Sequence, residues 1–270
     1  MAQVIAHRGA RSLAPENTLL AADLAYKTGA DLWETDVSLT RDGRLVLFHD
    51  ETLLRCTNAA SRFPSNPSYR VRDFDLKALL ALDAGSFFVE TDPFSQISLK
   101  AIPRTVFSEY RHCVIPTLEQ GLEFTMKKQW KINLELKYFP EDETGFFVPD
   151  KTLEVIEQMG ILPDRVVISS FNHGWLERVI DKKPQIEVQA LIGENDTDPL
   201  DFGDFRYSTY NINAKPVDDG IIKKLKDLGK KVNLFTVNNK AEFDHYASLG
   251  VDGMFTDFPQ LFCSGTTIFT

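Results

Sequence analysis

The second half of the chain limits its fold most tightly. Five apolar segments begin near Val166, Glu187, Thr209, Val232 and Gly253, spaced by about 20 residues. Helical patterns fall between several of them. One carries Ile221, Leu225 and Leu228 and stops at Gly229; a later one centres on Phe243. Strands that alternate with helices build a parallel sheet whose two faces are covered. The first half shows the same grammar. Val4-Ile5-Ala6 reads as a strand, and the helix after it carries Leu20, Ala21, Leu24, Ala25 and Thr28 on one side before Gly29. Lys131–Lys137 alternates as a strand. Before it, Thr117 and Gln120 form a capping box that opens a helix with Leu118, Leu122 and Met126 as its stripe. Leu153, Ile156 and Met159 mark another helix, ended by Gly160.

Counted along the chain there are nine strand-like segments, where a TIM-type (β/α)8 barrel needs eight. Leu45–His49 has no helix before it. It is either an extra hairpin arm or a true barrel strand, with Gly253–Thr256 then closing the ring. A doubly wound open sheet is the runner-up, but His-Arg-Gly-Ala-Arg-Ser after the first strand lacks the GxGxxG phosphate fingerprint. With 270 residues, 43% of them hydrophobic, the chain suits one barrel domain over 1–270. Within it, residues 51–115 lose all clear period apart from a helical piece around Leu76–Leu82. About 65 such residues are too many for a loop in a compact domain, so they read as an inserted subdomain. It serves either as a lid over the site or as a surface elaboration or oligomer contact.

Asp31–Asp50 carries the densest chemistry. Residues two apart on a strand point the same way, so Glu34 and Asp36 project into one space. Two adjacent carboxylates repel unless a cation or a shared proton sits between them, and a hard divalent metal answers that need. The chain turns at Arg41-Asp42-Gly43 and climbs to His49. If it folds back as a hairpin, the imidazole lands beside the carboxylates. In a parallel barrel the strands' C-terminal ends form the active face. His7 and Arg8 follow the first strand, Glu135 and Lys137 share a face of theirs, and Ser170-Phe171 and Phe235-Thr236-Val237-Asn238 end two later ones. The carboxylates suit one Mg²⁺ or Ca²⁺ ion, the cations suit a phosphate, and two histidines can divide acid and base roles. Against this stand plainer readings. Glu34 and Asp36 could simply pair with Arg8 and Lys137, and Phe171 and Phe235 could be core aromatics. His112, His173 and His245 read as structural.

The ordered pieces H-R-G (His7–Gly9), P-E-N-T (Pro15–Thr18), E-T-D-V (Glu34–Val37), T-R-D-G (Thr40–Gly43), F-H-D (Phe48–Asp50), P-T-L-E (Pro116–Glu119), E-L-K (Glu135–Lys137), S-S-F (Ser169–Phe171) and G-V-D-G-M-F-T-D-F-P (Gly250–Pro259) resemble the glycerophosphodiester phosphodiesterase family. The resemblance implies a TIM-type barrel with an insertion after F-H-D. It implies Glu34, Asp36 and Glu135 as ligands of one divalent metal ion, Mg²⁺ or Ca²⁺, and His7 and His49 as general acid and base. Arg8 and Lys137 would contact the phosphate. Many members carry W-T-V-N where this chain has Phe235-Thr236-Val237-Asn238, so the ring that packs on the glycerol end is kept while an indole N–H is lost. The implied substrate is a small glycerophosphodiester, such as glycerophosphocholine or glycerophosphoethanolamine, cleaved to sn-glycerol 3-phosphate and an alcohol. A lysophospholipase D or a phosphoinositide-type phospholipase on a similar barrel is the alternative within the class, with Phe87, Phe88 and Phe94 as a candidate acyl path. A catalytically silent ligand-binding barrel is the alternative outside it.

A net charge of −9 argues against nucleic-acid or anionic-membrane partners. No apolar run approaches the roughly 20 residues that span a bilayer, so no stable membrane anchor is expected. Cys56, Cys113 and Cys263 lie far apart without metal spacing. With an N-terminus that shows no leader pattern, they read as reduced thiols of a cytoplasmic protein. A homo-oligomer is left open.

Overall fold

A computed structural model describes residues 2–139, 144–265 and 268–269. Its strands are β1 (Gln3–Ala6), β2 (Leu32–Leu39), β3 (Leu45–Leu47), β4 (Ile132–Leu136), β5 (Val166–Ser170), β6 (Glu187–Ile192), β7 (Thr209–Asn213), β8 (Lys231–Phe235) and β9 (Gly253–Thr256). Eight of them run parallel in the order β1-β9-β8-β7-β6-β5-β4-β2, and β1 also pairs with β2, which closes the ring. β3 runs antiparallel to β2, with Val37 opposite Leu47. The segment before His49 is therefore the hairpin arm, and β9 is a barrel strand.

Ten α-helices surround this sheet among the described residues: α1 (Leu19–Thr28), α2 (Ala59–Arg62), α3 (Leu76–Leu79), α4 (Ser86–Thr91), α5 (Phe107–Tyr110), α6 (Leu118–Lys127), α7 (Phe147–Met159), α8 (His173–Lys182), α9 (Asp219–Asp227) and α10 (Lys240–Ser248). Their ends follow the sequence. Thr18 caps α1 by accepting the Ala21 N–H, and Gly29 takes the left-handed position that ends it. The Thr117–Gln120 capping box is formed in full.

β2 is buried on both faces, as a parallel strand beneath helices must be. Its outward Trp33 meets Phe124 of α6 edge-on at 6.1 Å, and the indole donates to Thr125 at 2.9 Å. Two expected stripe positions on the helices do not pack inward. Met126 is 40% and Leu228 is 50% exposed. On α6 the inward places go to Gly121 and Thr125, where a Cβ on Gly121 would stand 2.8 Å from Leu47. On α9 they go to Ile222 and Leu225.

The lower barrel interior is unusually polar. Asn133 donates to Gln189 and accepts from Ser169, while Asn233 donates to Asn211. Ile5, Leu32 and Phe255 fill the other side. Most of these buried polar groups satisfy one another, the Asn211 amide nitrogen being the exception.

Residues 51–115 contain α2 to α5 and no strand, with one isolated bridge between Thr52 and Arg70. This is more helix than the single piece expected at Leu76–Leu82, of which α3 covers only Leu76–Leu79. Some of their apolar side chains, including Leu53, Phe74, Leu79 and Leu82, gather in a separate cluster against Val46 and Phe48, while Phe88, Ile102 and Tyr110 join the barrel core.

Candidate active site

A cleft of about 460 Å³ opens at the C-terminal ends of the strands. His7, Arg8, Glu34, His49, Glu135, Lys137, Phe171, Phe235 and Thr236 line it; Asp36 is fully buried beneath, and Ser170, Val237 and Asn238 do not line it. The strand alternation puts them there. Glu34 and Asp36 share the inner face of β2, and the parallel register sets Asp36 beside Glu135. Glu34, Asp36 and Glu135 each offer an oxygen within 4.8 Å of the others. Glu34 Oε1 and Asp36 Oδ1 are buried without a hydrogen-bond partner. Buried orphan acceptors on clustered carboxylates are what a hard divalent cation satisfies, so this donor set fits one.

The cations crowd the same carboxylates. Arg8 Nε lies 3.3 Å from Asp36 and Lys137 Nζ lies 3.8 Å from it, while Lys137 also pairs with Glu135 at 2.7 Å. The plainer reading of an ion network is therefore realised as well, and the two are compatible: one oxygen of Asp36 faces each cation. Burial and the neighbouring Asp36 and Glu135 push the Glu34 carboxyl well above its ordinary range. Burial would raise Asp36 too, but His49, Arg8, Lys137 and the Asn17 amide hold it below.

The turn after β1 aims the first group of residues. Arg8 and Gly9 both have positive φ, at 56° and 80°. That turn points the Arg8 N–H at Glu34 Oε2, 2.8 Å away. His7 Nδ1 meets Asp257 at 2.7 Å, and His49 Nδ1 meets Asp50 at 2.7 Å. A carboxylate acceptor at Nδ1 puts the proton there and leaves Nε2 as the exchanging nitrogen of both rings. The His7 pKa is lowered by burial and by the adjacent Arg8, against the pull of Asp257. Phe171 and Phe235 meet edge-on at 6.1 Å on the opposite wall. His112, His173 and His245 bond instead to Ser108, Leu191 and Asp219, and none of the three lines the cleft.

Residues 7–261 match the Glycerophosphoryl diester phosphodiesterase family. The chain belongs to that family. It is an enzyme of the phosphoric diester hydrolase class. A glycerophosphodiester phosphodiesterase of Bacillus altitudinis is 34% identical over 269 residues, covering 96% of both chains. A protein of the same name from Caldanaerobacter subterraneus subsp. tengcongensis is 34% identical, over 95% of this chain and 94% of its own. An Oleispira antarctica phosphodiesterase, solved in complex with the product sn-glycerol-3-phosphate, superposes with a TM-score of 0.77 at 28% identity, covering 97% and 95% of the two chains.

Around this family site stand residues that the sequence reading did not assign. Asp50 and Asp257 hold the histidines. Asn17, with φ 57°, donates to Asp36 at 2.8 Å and accepts from Thr35. Glu16 takes Arg8 at 2.8 Å and Arg55 at 2.8 Å, and these guanidiniums with Arg11 hold it well below its usual range despite burial. A signal was present for three of them. Asp50 follows His49 directly, and Glu16 and Asn17 sit inside P-E-N-T. Asp257, one residue past β9, occupies the rim position at which a functional side chain is expected.

Proposed function

We propose that the protein hydrolyses small glycerophosphodiesters, such as glycerophosphocholine or glycerophosphoethanolamine, to sn-glycerol 3-phosphate and the free alcohol. One observation carries the reading: an acidic trio, Arg8 with Lys137, and two carboxylate-held histidines converge on a single cleft. The product found in the Oleispira antarctica relative supports the same chemistry. Glu34, Asp36 and Glu135 would hold one divalent ion, Mg²⁺ or Ca²⁺. When bound, such an ion supplies Lewis-acid stabilisation of negative charge on the phosphoryl group.

The remaining work falls to side chains. Arg8 and Lys137 bind the non-bridging phosphoryl oxygens and offset the charge that grows as the nucleophile attacks. Nε2 of one histidine takes the proton from the attacking hydroxyl. Nε2 of the other gives a proton to the leaving alcohol as the P–O bond breaks. Phe171 and Phe235 pack against the glycerol carbons. Residues 51–115 act as an inserted subdomain that walls the cleft, since Glu51 lines it and the segment has its own apolar cluster. Three unpaired thiols support a reducing, cytoplasmic setting. No helix among the described residues is long and apolar enough to cross a membrane.

The deciding experiment incubates metal-stripped protein with glycerophosphocholine or glycerophosphoethanolamine, with and without Mg²⁺ or Ca²⁺, and assays glycerol 3-phosphate. Metal-dependent release is expected. No release with either ion, from either diester, overturns the reading.

A further inference from the structure

Arg55 belongs to the 51–115 segment and does not line the cleft. It nevertheless grips two carboxylates at once. Its Nε and Nη2 donate to both oxygens of Asp50 at 2.6 and 2.8 Å. Its Nη1 and Nη2 donate to both oxygens of Glu16 at 2.8 Å each. Asp50 in turn holds His49 Nδ1, and Glu16 Oε1 accepts Arg8 Nη1. One planar guanidinium thus ends a hydrogen-bonded chain in each direction, at His49 on one side and at Arg8 on the other.

We propose that Arg55 is a positioning residue that sets His49 and Arg8 in one fixed relation. An exposed ion pair alone contributes little. A guanidinium fork differs, because its plane fixes both carboxylate planes. Asp50 must hold its plane for Oδ1 to accept the hydrogen bond from His49 Nδ1–H. The Glu16 side chain is only 7% exposed, and Arg55 is the group that donates to both of its oxygens while Arg8 donates to one. Arg55 thereby acts on His49 and Arg8 from outside the cleft.

The inference rests on the proposed diester hydrolysis, so the wild type is assayed beside Arg55→Ala and Arg55→Lys. In Arg55→Ala, kcat on glycerophosphocholine is expected to fall about 10–100-fold, as loss of a supporting partner does, with KM nearly unchanged. Guanidinium chloride at tens of millimolar should restore part of it. Arg55→Lys should fold like the wild type yet lose kcat, since an ammonium cannot fork. An activity-independent readout is the downfield His49 Nδ1–H resonance, expected in the wild type and lost or broadened in both variants. Wild-type kcat in a folded variant, or an unchanged resonance, overturns the proposal. Were the wild type itself inactive on every diester, the reaction assignment would fail while the resonance still decided the positioning.

Discussion

His7 and Asp257 stand at opposite ends of the chain and meet at 2.7 Å, imidazole Nδ1 donating to carboxylate Oδ1. Closure of the barrel between β1 and β9 brings them together, because Ala6 and Thr256 are register partners. The ring closure thus also fixes the orientation of the His7 imidazole.

This pair predicts an acid-sensitive contribution to stability. Burial raises the Asp257 carboxyl, but the His7 hydrogen bond and charge, with Arg11 and Asn238, outweigh it and bring the pKa from 3.8 to about 2. A depressed carboxylate stabilises the fold above its unfolded pKa, and that stability is lost as pH falls through the folded value. The difference corresponds to about 2 kcal/mol. Asp257→Asn should be less stable than the wild type by that order near neutrality, with the gap closing as pH falls from 3.8 to about 2. Urea unfolding across that range checks it; a gap independent of pH would show that the charge does not matter.

Both histidines line the cleft with Nδ1 held by a carboxylate, so each should be needed for proton transfer. His7→Ala and His49→Ala are each expected to lose on the order of 10²–10⁴ in kcat with circular dichroism unchanged. Near-normal turnover in either variant would remove that residue from the acid–base pair.

Glu135 is the least buried of the acidic trio and is already paired with Lys137 at 2.7 Å. Replacing it with alanine leaves Glu34 and Asp36 as the donors. Calorimetric titration should show Mg²⁺ or Ca²⁺ binding to Glu135→Ala about tenfold weaker or worse. Unchanged affinity would mean that the ion, if bound, sits elsewhere.

Much of this was legible before any coordinates. The strand spacing from Val166 to Gly253 predicts the barrel, and the two-residue alternation predicts that Glu34 and Asp36 share an interior face. Other features could not be read. Helices of four to six residues, such as α2 to α5, are too short to display a 3.6-residue period, so residues 51–115 looked featureless. Met126 and Leu228 fit an apolar stripe but lie outward, because close approach of helix to sheet on α6 selects Gly121 and Thr125. The partners of the histidines were missed in unequal ways. Asp50 is a sequence neighbour of its histidine. Asp257 becomes one only when the ring closes, and the forks of Arg55 need Glu16 brought from another turn.

Gly9 tests how tightly the turn carrying His7 and Arg8 is built. Its φ of 80° is one that alanine adopts only with strain, and a Cβ there would lie 2.6 Å from the Ala21 carbonyl carbon and 2.8 Å from Ala21 Cβ. The obstacle is the backbone of α1, which cannot swing aside as a flexible side chain would. Either α1 shifts off the turn, or the turn opens and releases the Arg8 N–H from Glu34. Gly9→Ala should therefore cost about 2–4 kcal/mol, strain and overpacking together, and also lower kcat in the molecules that remain folded. Gly160→Ala is the matched control. Its φ of 66° brings similar strain, but nothing lies within 4 Å of the added carbon, so a loss of about 1 kcal/mol with normal kcat is expected. Equal losses in the two variants would mean that the left-handed φ alone sets the cost. The contact with α1 would then not be what holds the turn in place.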